Sequence, residues 1–170
     1  LTVSLTAEES RQFLSALNAP FQPNARLQRA LAQVAQGGGM LIIELLQADR
    51  HDRQAFVCGE PSLDRYLQQQ ATQHHRDGIS TTHVLIDDAE PARTLGYYSL
   101  SAAQLLLTDL RESDRKRLPK YPVPAIRVGR LAVLAQEQGK GHGDFLLGHA
   151  VARCLALREQ LGVRVLLVDA

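Results

Sequence analysis

The residues best suited to chemistry are the six from Gln138 to Gly143, which read Q-G-K-G-H-G. An apolar, β-branched run, residues 125–133, precedes them and an amphipathic pattern follows, so we predict a strand, a glycine turn and a helix. The first N–H groups of such a helix are unpaired and lie at the positive end of its dipole. Because glycines let the backbone approach a ligand closely, this turn suits a diphosphate group.

The order of the glycines excludes two common phosphate sites. A dinucleotide fingerprint reads G-x-G-x-x-G, whereas the chain reads G-H-G-D-F-L from Gly141, with leucine in place of the last glycine. A Walker loop needs Ser or Thr after its lysine, and Lys140 is followed by glycine. The remaining pattern is Q-x-x-G-x-G after a strand, which alone also describes an ordinary strand-to-helix turn.

Length and composition indicate one ordinary domain. The chain has 170 residues, 45% of them apolar, and a formal charge of +1 that says nothing about partners. Two cysteines cannot form a disulfide framework, and we find neither a membrane span nor a signal peptide, so we expect a cytoplasmic protein. A basic cluster at residues 111–120 is either a solvated face or a surface for a polyanion.

Other reactive side chains have weaker patterns. Cys58 has no histidine at ligand spacing, and His74 and His75 are adjacent on a predicted helix, so they face different directions and we expect no metal site. For Asp64 we expect a structural role.

The chain divides at three glycines, residues 37–39, which precede Met40, the only methionine. We interpret residues 1–36 as one piece, the glycines as a linker and residues 40–170 as a second piece; a natural glycine loop is the alternative. The first piece reads as two short helices, the first opened by a capping box at Thr6 and Glu9. Their apolar residues need a partner surface: Phe13, Leu14, Leu17, Phe21, Leu27, Leu31 and Val34.

The second piece predicts an α/β fold in the order β, α, β, β, β, α, β. The expected strands are residues 41–45, 82–87, 94–100, 125–133 and 163–168, with a partly helical segment at 108–117. Leu63, Tyr66, Leu67 and Ala71 would form the apolar face of the first helix. In the helix after the glycine turn, the expected apolar face is Leu147, Val151, Cys154 and Leu155.

Several motifs of this piece resemble one protein family. The glycine turn resembles the acyl-CoA pyrophosphate loop of the GNAT superfamily of N-acyltransferases, and G-R-L-A-V (residues 129–133) stands before it. With F-x-C-G-x-x-x-L-D-x-Y-L (56–67), L-G-Y-Y-S-L-S-A (95–102) and L-P-K-Y-P-V-P-A (118–125), the piece resembles the tRNA-acetylating toxins of type II toxin–antitoxin modules. Residues 1–36 resemble the neutralising tail of the ribbon-helix-helix antitoxins that guard such toxins.

The resemblance implies acetyl-CoA as the cofactor. Backbone groups of Leu131, Ala132 and Val133 would hold the pantetheine arm where the fourth and fifth strands splay apart. The pyrophosphate would be held by Gln138, Gly139, Lys140, Gly141, His142 and Gly143. In that turn we expect the backbone of His142 to matter rather than its imidazole. The acceptor would be the α-amine of an aminoacyl-tRNA, bound by Arg76, Arg115, Lys116, Arg117, Lys120 and Arg130.

The family's general acid is a tyrosine after the fifth strand, and the sequence reaches only Ala170, where that segment would begin. We therefore expect a GNAT fold incomplete after its fifth strand, with no catalytic tyrosine: a disarmed toxin joined to its antitoxin segment. That segment would bind its own chain or a neighbour's in a homodimer, without DNA binding. The rival hypotheses are a GNAT enzyme that acetylates a small amine or a protein lysine, and a catalytically silent interaction module.

Overall fold

A five-stranded sheet forms the centre of the molecule. The computed structural model describes residues 40–106, 108, 112 and 122–169. The strands follow one another in chain order: β1 (Leu41–Leu45), β2 (Thr81–Asp87), β3 (Gly96–Leu105), β4 (Val123–Val133) and β5 (Val165–Val168). Strands β1 to β4 pair antiparallel, whereas β4 and β5 pair parallel. A parallel pair needs a crossover connection, which a long helix provides here.

Helices cover both faces of the sheet. Helix α1 (Pro61–Arg65), a π-helical turn (Tyr66–Gln70) and helix α2 (Ala71–Arg76) connect β1 to β2. A short 3-10 turn (Ala135–Glu137) and helix α3 (His142–Arg158) connect β4 to β5. None of these helices, in the part of the chain that the structure describes, is long and apolar enough to cross a membrane.

The core has two layers because neighbouring residues of each strand point to opposite faces. Leu85 and Tyr98 pack with residues of α3, whereas Val84 and Tyr97 pack with Tyr66 of the π-helical turn. All five side chains are almost fully buried. Burial on both faces explains why residues 82–86 of β2 and 96–100 of β3 are continuously buried instead of alternating with exposed residues.

The predicted order of strands and helices is confirmed, with differences at their ends. Strand β3 extends to Leu105 instead of residue 100, because residues 101–105 pair with the beginning of β4, which starts at Val123 instead of residue 125. Strand β5 begins at Val165, two residues later than expected. The expected helices of residues 1–36, the glycine linker and most of the basic segment lie outside the described residues.

The predicted apolar face of α3 was partly wrong. Leu146, Ala150 and Cys154 are buried against the sheet, whereas Leu147 is 39% exposed. The sequence offers two adjacent apolar stripes, and spacing alone does not choose between them. Gly96 of β3 leaves the space that the buried Leu146 side chain occupies, because a Cβ atom at Gly96 would lie 2.8 Å from Cδ1 of Leu146.

Candidate functional site

Strand β4 presents different side chains to its two faces at the end that precedes the glycine turn. Ala132 is buried with the residues of the π-helical turn, and the guanidinium of Arg130 lies on the same face. Leu131 and Val133 pack on the opposite face with the cluster that includes α3. The side chains of this segment are thus used in packing, which leaves its backbone as the part available to a ligand.

A bulge separates the two halves of β4. Ser99 pairs with Arg130 and Leu100 with Val128, so Gly129 is an extra residue in the ladder. In the described part of the chain, β5 pairs only with residues on the near side of the bulge, Ala125 to Val128. Bulges of this kind redirect a strand and end pairing beside functional sites.

Beyond the bulge, alternate backbone groups of β4 face the side on which β5 lies. The N–H of Leu134 donates to the carbonyl of Leu95, the residue before β3. Because backbone polar groups of successive strand residues point to opposite sides, those of Leu131 and Val133 point away from β3. The carbonyl of Val133 accepts a hydrogen bond from the Gln138 side chain at 3.0 Å, as that direction requires. The N–H groups of Leu131 and Val133 therefore lie at an opening in the sheet.

The turn after β4 depends on glycine conformations. Gly139 and Gly141 have φ values of 81° and 88°, in the left-handed region that other residues rarely adopt. Gly141 is also the residue that caps the start of α3. The Gln138 amide nitrogen donates to the carbonyl of Cys58 at 2.7 Å as well as to Val133, so this side chain fixes the turn to two neighbouring segments.

The start of α3 fits a pyrophosphate. Helix α3 has 17 residues, and its first backbone hydrogen bond runs from the N–H of Phe145 to the carbonyl of Gly141. The preceding N–H groups of the first turn are directed outward, as in other anion-binding helix starts. A Cβ on Gly143 would meet nothing closer than Val133 at 4.0 Å, so a ligand has room beside the backbone.

Sequence reasoning missed two charged residues that support this turn, Glu137 and Arg93. Glu137 accepts a hydrogen bond from Lys140 at 2.8 Å and another from Arg93 at 3.1 Å. The imidazole of His142 is 4% exposed and its Nε2 lies 3.5 Å from the same carboxylate. The spacing of Glu137 and Lys140 was a readable signal, but Arg93 comes from the turn between β2 and β3 and gave none.

The candidate RNA-binding residues are only partly within the described chain. Arg130 stacks over the ring of Tyr66, with its guanidinium carbon 3.9 Å from the ring centroid. Arg76 is exposed at the end of α2. The other four expected residues lie outside the described part: Arg115, Lys116, Arg117 and Lys120. The same is true of the expected antitoxin contacts Phe13, Leu14, Leu17, Phe21, Leu27, Leu31 and Val34.

The three tyrosines in the described part of the chain are buried and hydrogen-bonded. Tyr97 donates to the carbonyl of Leu63 at 2.7 Å, Tyr66 bonds Ser80 at 2.7 Å, and Tyr98 bonds His149 at 2.8 Å. Burial raises the pKa of Tyr97 and of Tyr98. These hydroxyls hold the fold together, and none of the three lies free to protonate a leaving group.

Cys58 and Asp64 have structural surroundings. The Asp64 carboxylate accepts a hydrogen bond from the N–H of Cys58 at 2.8 Å. Burial, followed by Asp64, raises the pKa of the Cys58 thiol, which makes it a weaker nucleophile at neutral pH. Within residues 40–106, 108, 112 and 122–169 no group of three His, Cys, Asp or Glu side chains could hold a metal ion.

Comparison with known proteins finds two kinds of relative. Residues 1–36 match the family model "Antitoxin TacA 1-like". A tRNA-acetylating toxin of Mycobacterium tuberculosis is 38% identical over 123 residues, which cover 72% of this chain and 72% of that protein.

Two solved structures have the same fold. AtaT complexed with acetyl-methionyl-tRNAfMet is 30% identical, with a TM-score of 0.69 over 77% of this chain and 78% of that one. AtaTR bound with AcCoA is 31% identical, with a TM-score of 0.66 over 76% of this chain and 77% of that one. The identity over this length and the shared GNAT architecture mean that the chain belongs to the family of tRNA-acetylating N-acetyltransferase toxins.

Proposed function

We propose that residues 40–170 form a toxin domain that uses acetyl-CoA to acetylate the α-amino group of an aminoacyl-tRNA and so blocks translation. Residues 1–36 are its neutralising antitoxin segment, joined to it through the glycines at 37–39. The observation that carries this proposal is the opening beside β4, because it combines outward N–H groups of Leu131 and Val133 with a glycine-capped helix start.

The reaction needs no covalent enzyme intermediate. Acetyl-CoA, when bound, would supply an activated thioester. The tRNA amine would form the new C–N bond and lose a proton, while the C–S bond breaks and the leaving thiolate takes up a proton. An N–H of Leu131 or Val133 would donate to the carbonyl oxygen as negative charge develops on it. The turn from Gln138 to Gly143 would hold the pyrophosphate and thereby fix the distance between thioester and amine.

Arg130 is the best-supported RNA contact among the described residues. Its stacking on Tyr66 holds the guanidinium 3.9 Å from the ring centroid, beside the strand that would bind the cofactor. A planar guanidinium held in this way loses little freedom when it meets a phosphate. We propose Arg76 as a second contact, with Arg115, Lys116, Arg117 and Lys120 extending the surface.

Proton delivery to the leaving thiolate has no evident source among the described tyrosines, since the hydroxyls of Tyr66, Tyr97 and Tyr98 are all engaged. Loss of a general acid lowers a rate by roughly two to four orders of magnitude. We therefore propose that this chain binds acetyl-CoA normally but transfers the acetyl group slowly. A silent interaction module, which the engaged tyrosines also favour, would bind no acetyl-CoA.

Two measurements on the full chain test these statements. Calorimetric titration with acetyl-CoA should give saturable heat, and its absence would refute the acetyltransferase function in favour of the interaction module. Mass spectrometry of charged tRNA after incubation should detect acetylated aminoacyl-tRNA that accumulates slowly. Rapid turnover would contradict the slow transfer, and acetylation of free amines alone would contradict the tRNA acceptor.

A further inference from the structure

A single carboxylate connects the glycine turn to the rest of the molecule. Glu137 ends the 3-10 turn before Gln138, and its side chain is only 13% exposed. One oxygen, Oε2, accepts from Nζ of Lys140 at 2.8 Å and lies 3.5 Å from Nε2 of His142. The other, Oε1, accepts from Nη2 of Arg93 at 3.1 Å.

The charge of this carboxylate is unexpected where a pyrophosphate is to bind. Burial raises the pKa of Glu137, but the hydrogen bond and charge of Lys140, together with Arg93, outweigh burial and hold that pKa below its ordinary value. Glu137 is therefore ionised at neutral pH. A second anion at the turn would be repelled unless the cations of the cluster were shared between them.

The two cations differ in how they are held. Lys140 stands between Gly139 and Gly141, and its side chain is 47% exposed, so the ammonium can swing on its flexible stem. Arg93 lies in the turn between β2 and β3, and it also donates to the Gln136 side chain at 3.5 Å. Of the two, Lys140 is the one that can leave Glu137 while its backbone stays in the turn.

His142 can take over part of the contact that Lys140 would give up. Its imidazole is buried at the first position of α3, and Nδ1 has no hydrogen-bond partner among the described residues. With its proton on Nε2, the ring donates toward Glu137 Oε2. The sequence-based expectation that only the His142 backbone matters is thus incomplete, since the ring is part of the cluster.

We propose that Lys140 exchanges Glu137 for the cofactor's pyrophosphate on binding, while Arg93 and His142 remain on the carboxylate. Glu137 is then a positioning residue: it prepares the turn, and it competes with the ligand for the lysine. This inference rests on the proposed function, which it extends to how the affinity for the cofactor is set.

Calorimetry on the full chain with two ligands tests the exchange. The variants are Glu137→Gln, Lys140→Met and the double variant; the ligands are acetyl-CoA and S-acetylpantetheine, which lacks the pyrophosphate. Glu137→Gln should bind acetyl-CoA about two- to fivefold more tightly and Lys140→Met more weakly by a similar factor. The loss caused by Lys140→Met should be larger when Gln replaces Glu137, and binding of S-acetylpantetheine should stay unchanged.

Each alternative gives a different result. If Glu137 were only a structural brace, Glu137→Gln would weaken binding of both ligands. If Lys140 never reached the pyrophosphate, Lys140→Met would leave acetyl-CoA affinity unchanged, and this variant decides the question even if Glu137→Gln folds poorly. Absence of acetyl-CoA binding to the unaltered chain would instead refute the proposed function itself.

Discussion

His83 is a polar residue inside the layer between the sheet and α3. Its ring stacks on Tyr98, with centroids 5.0 Å apart and planes 6° from parallel, and its side chain lies near His149. Burial, followed by the positive charges of Arg153, His149 and His75, lowers the pKa of His83 to about 4. The ring is therefore neutral in the folded protein at any pH near 7.

This residue makes folding stability depend on pH. In the unfolded chain His83 has an ordinary pKa of 6.5, so that state takes up the proton first. Its contribution is complete above about pH 6.5 and is lost as the pH falls toward 4, by roughly 3 kcal/mol in total. Urea unfolding at pH 7.5 and 5 should show about 2 kcal/mol of this loss, because the unfolded chain is almost fully protonated at His83 by pH 5 while the folded protein is not.

The variant His83→Phe keeps an aromatic ring on Tyr98 and removes the titration, so it serves as the control. Burial also lowers the pKa of His142 and of His149, and some pH dependence should therefore remain in this variant. The difference between the two proteins isolates His83. If the unaltered protein and His83→Phe lost equal unfolding free energy between pH 7.5 and 5, the pKa of His83 in the folded protein would not be lowered.

At the scale of elements, the close approach of β3 and α3 depends on Gly96. A Cβ there would lie 2.8 Å from Leu146 Cδ1 and 2.9 Å from the carbonyl oxygen of Ala132. Because the second contact is backbone, Gly96→Ala must displace β4 at Ala132, between the two residues whose N–H groups face the opening. We expect a destabilisation of about 1–3 kcal/mol in urea unfolding.

Gly162 provides a matched control for this change. A Cβ at Gly162 would meet nothing within 4 Å, and its φ is not in the left-handed region. Gly162→Ala should therefore change the free energy of unfolding by less than about 1 kcal/mol, in the stabilising direction. If Gly96→Ala were equally harmless, the sheet and α3 would not be as closely packed as described.

The elements also show how far the sequence could lead. The apolar run and the glycines of residues 125–143 predicted a strand, a turn and the start of a helix, and the structure has them at nearly the expected positions. The ion pair of Arg93 with Glu137 joins residues 44 positions apart, and it depends on the hairpin between β2 and β3. No local pattern encodes such a contact, so sequence reasoning found the glycine turn and missed its charged support.

The helical segment before β2 gives a second example. Its apolar residues were identified, and Tyr66, Leu67 and Ala71 are fully buried. The π-helical turn was not anticipated: the N–H of Ala71 bonds the carbonyl of Tyr66, five residues back. A single extra residue in one turn leaves no mark in the composition, and the contacts of Tyr66 with Tyr97 and Arg130 come from distant parts of the chain.

At the scale of the whole molecule, two comparisons point to proteins of opposite function. Residues 1–36 match an antitoxin family, whereas the match to a toxin extends over 123 residues. The sequence predicts two short helices in residues 1–36, and such helices would not bury their apolar stripes on each other. In the proposed arrangement, the glycines at 37–39 link these residues to the toxin domain, which would offer a covering surface at an effective concentration of about millimolar.

We predict that the apolar stripe of the second helix expected in residues 1–36 stabilises the toxin domain and restricts its access to tRNA. Replacing Leu27 and Leu31 with glutamate in the full chain should lower the melting temperature by roughly 10 °C or more, because each leucine would contribute about 2–3 kcal/mol when covered by the toxin domain. The same variant should bind aminoacyl-tRNA more tightly, since the covering segment is released. Differential scanning calorimetry and a filter-binding titration measure the two effects.

Gln28 and Gln33 allow a control with the same added charge. At 100° per residue neither lies on the stripe of Leu27, Leu31 and Val34, so their replacement by glutamate should leave both the melting temperature and tRNA affinity close to those of the unaltered chain. If the added negative charge were the main effect, tRNA binding would instead weaken equally in both variants. A gain in tRNA affinity confined to the leucine variant would therefore identify release of the segment, whereas equal behaviour of the two variants would refute its neutralising role.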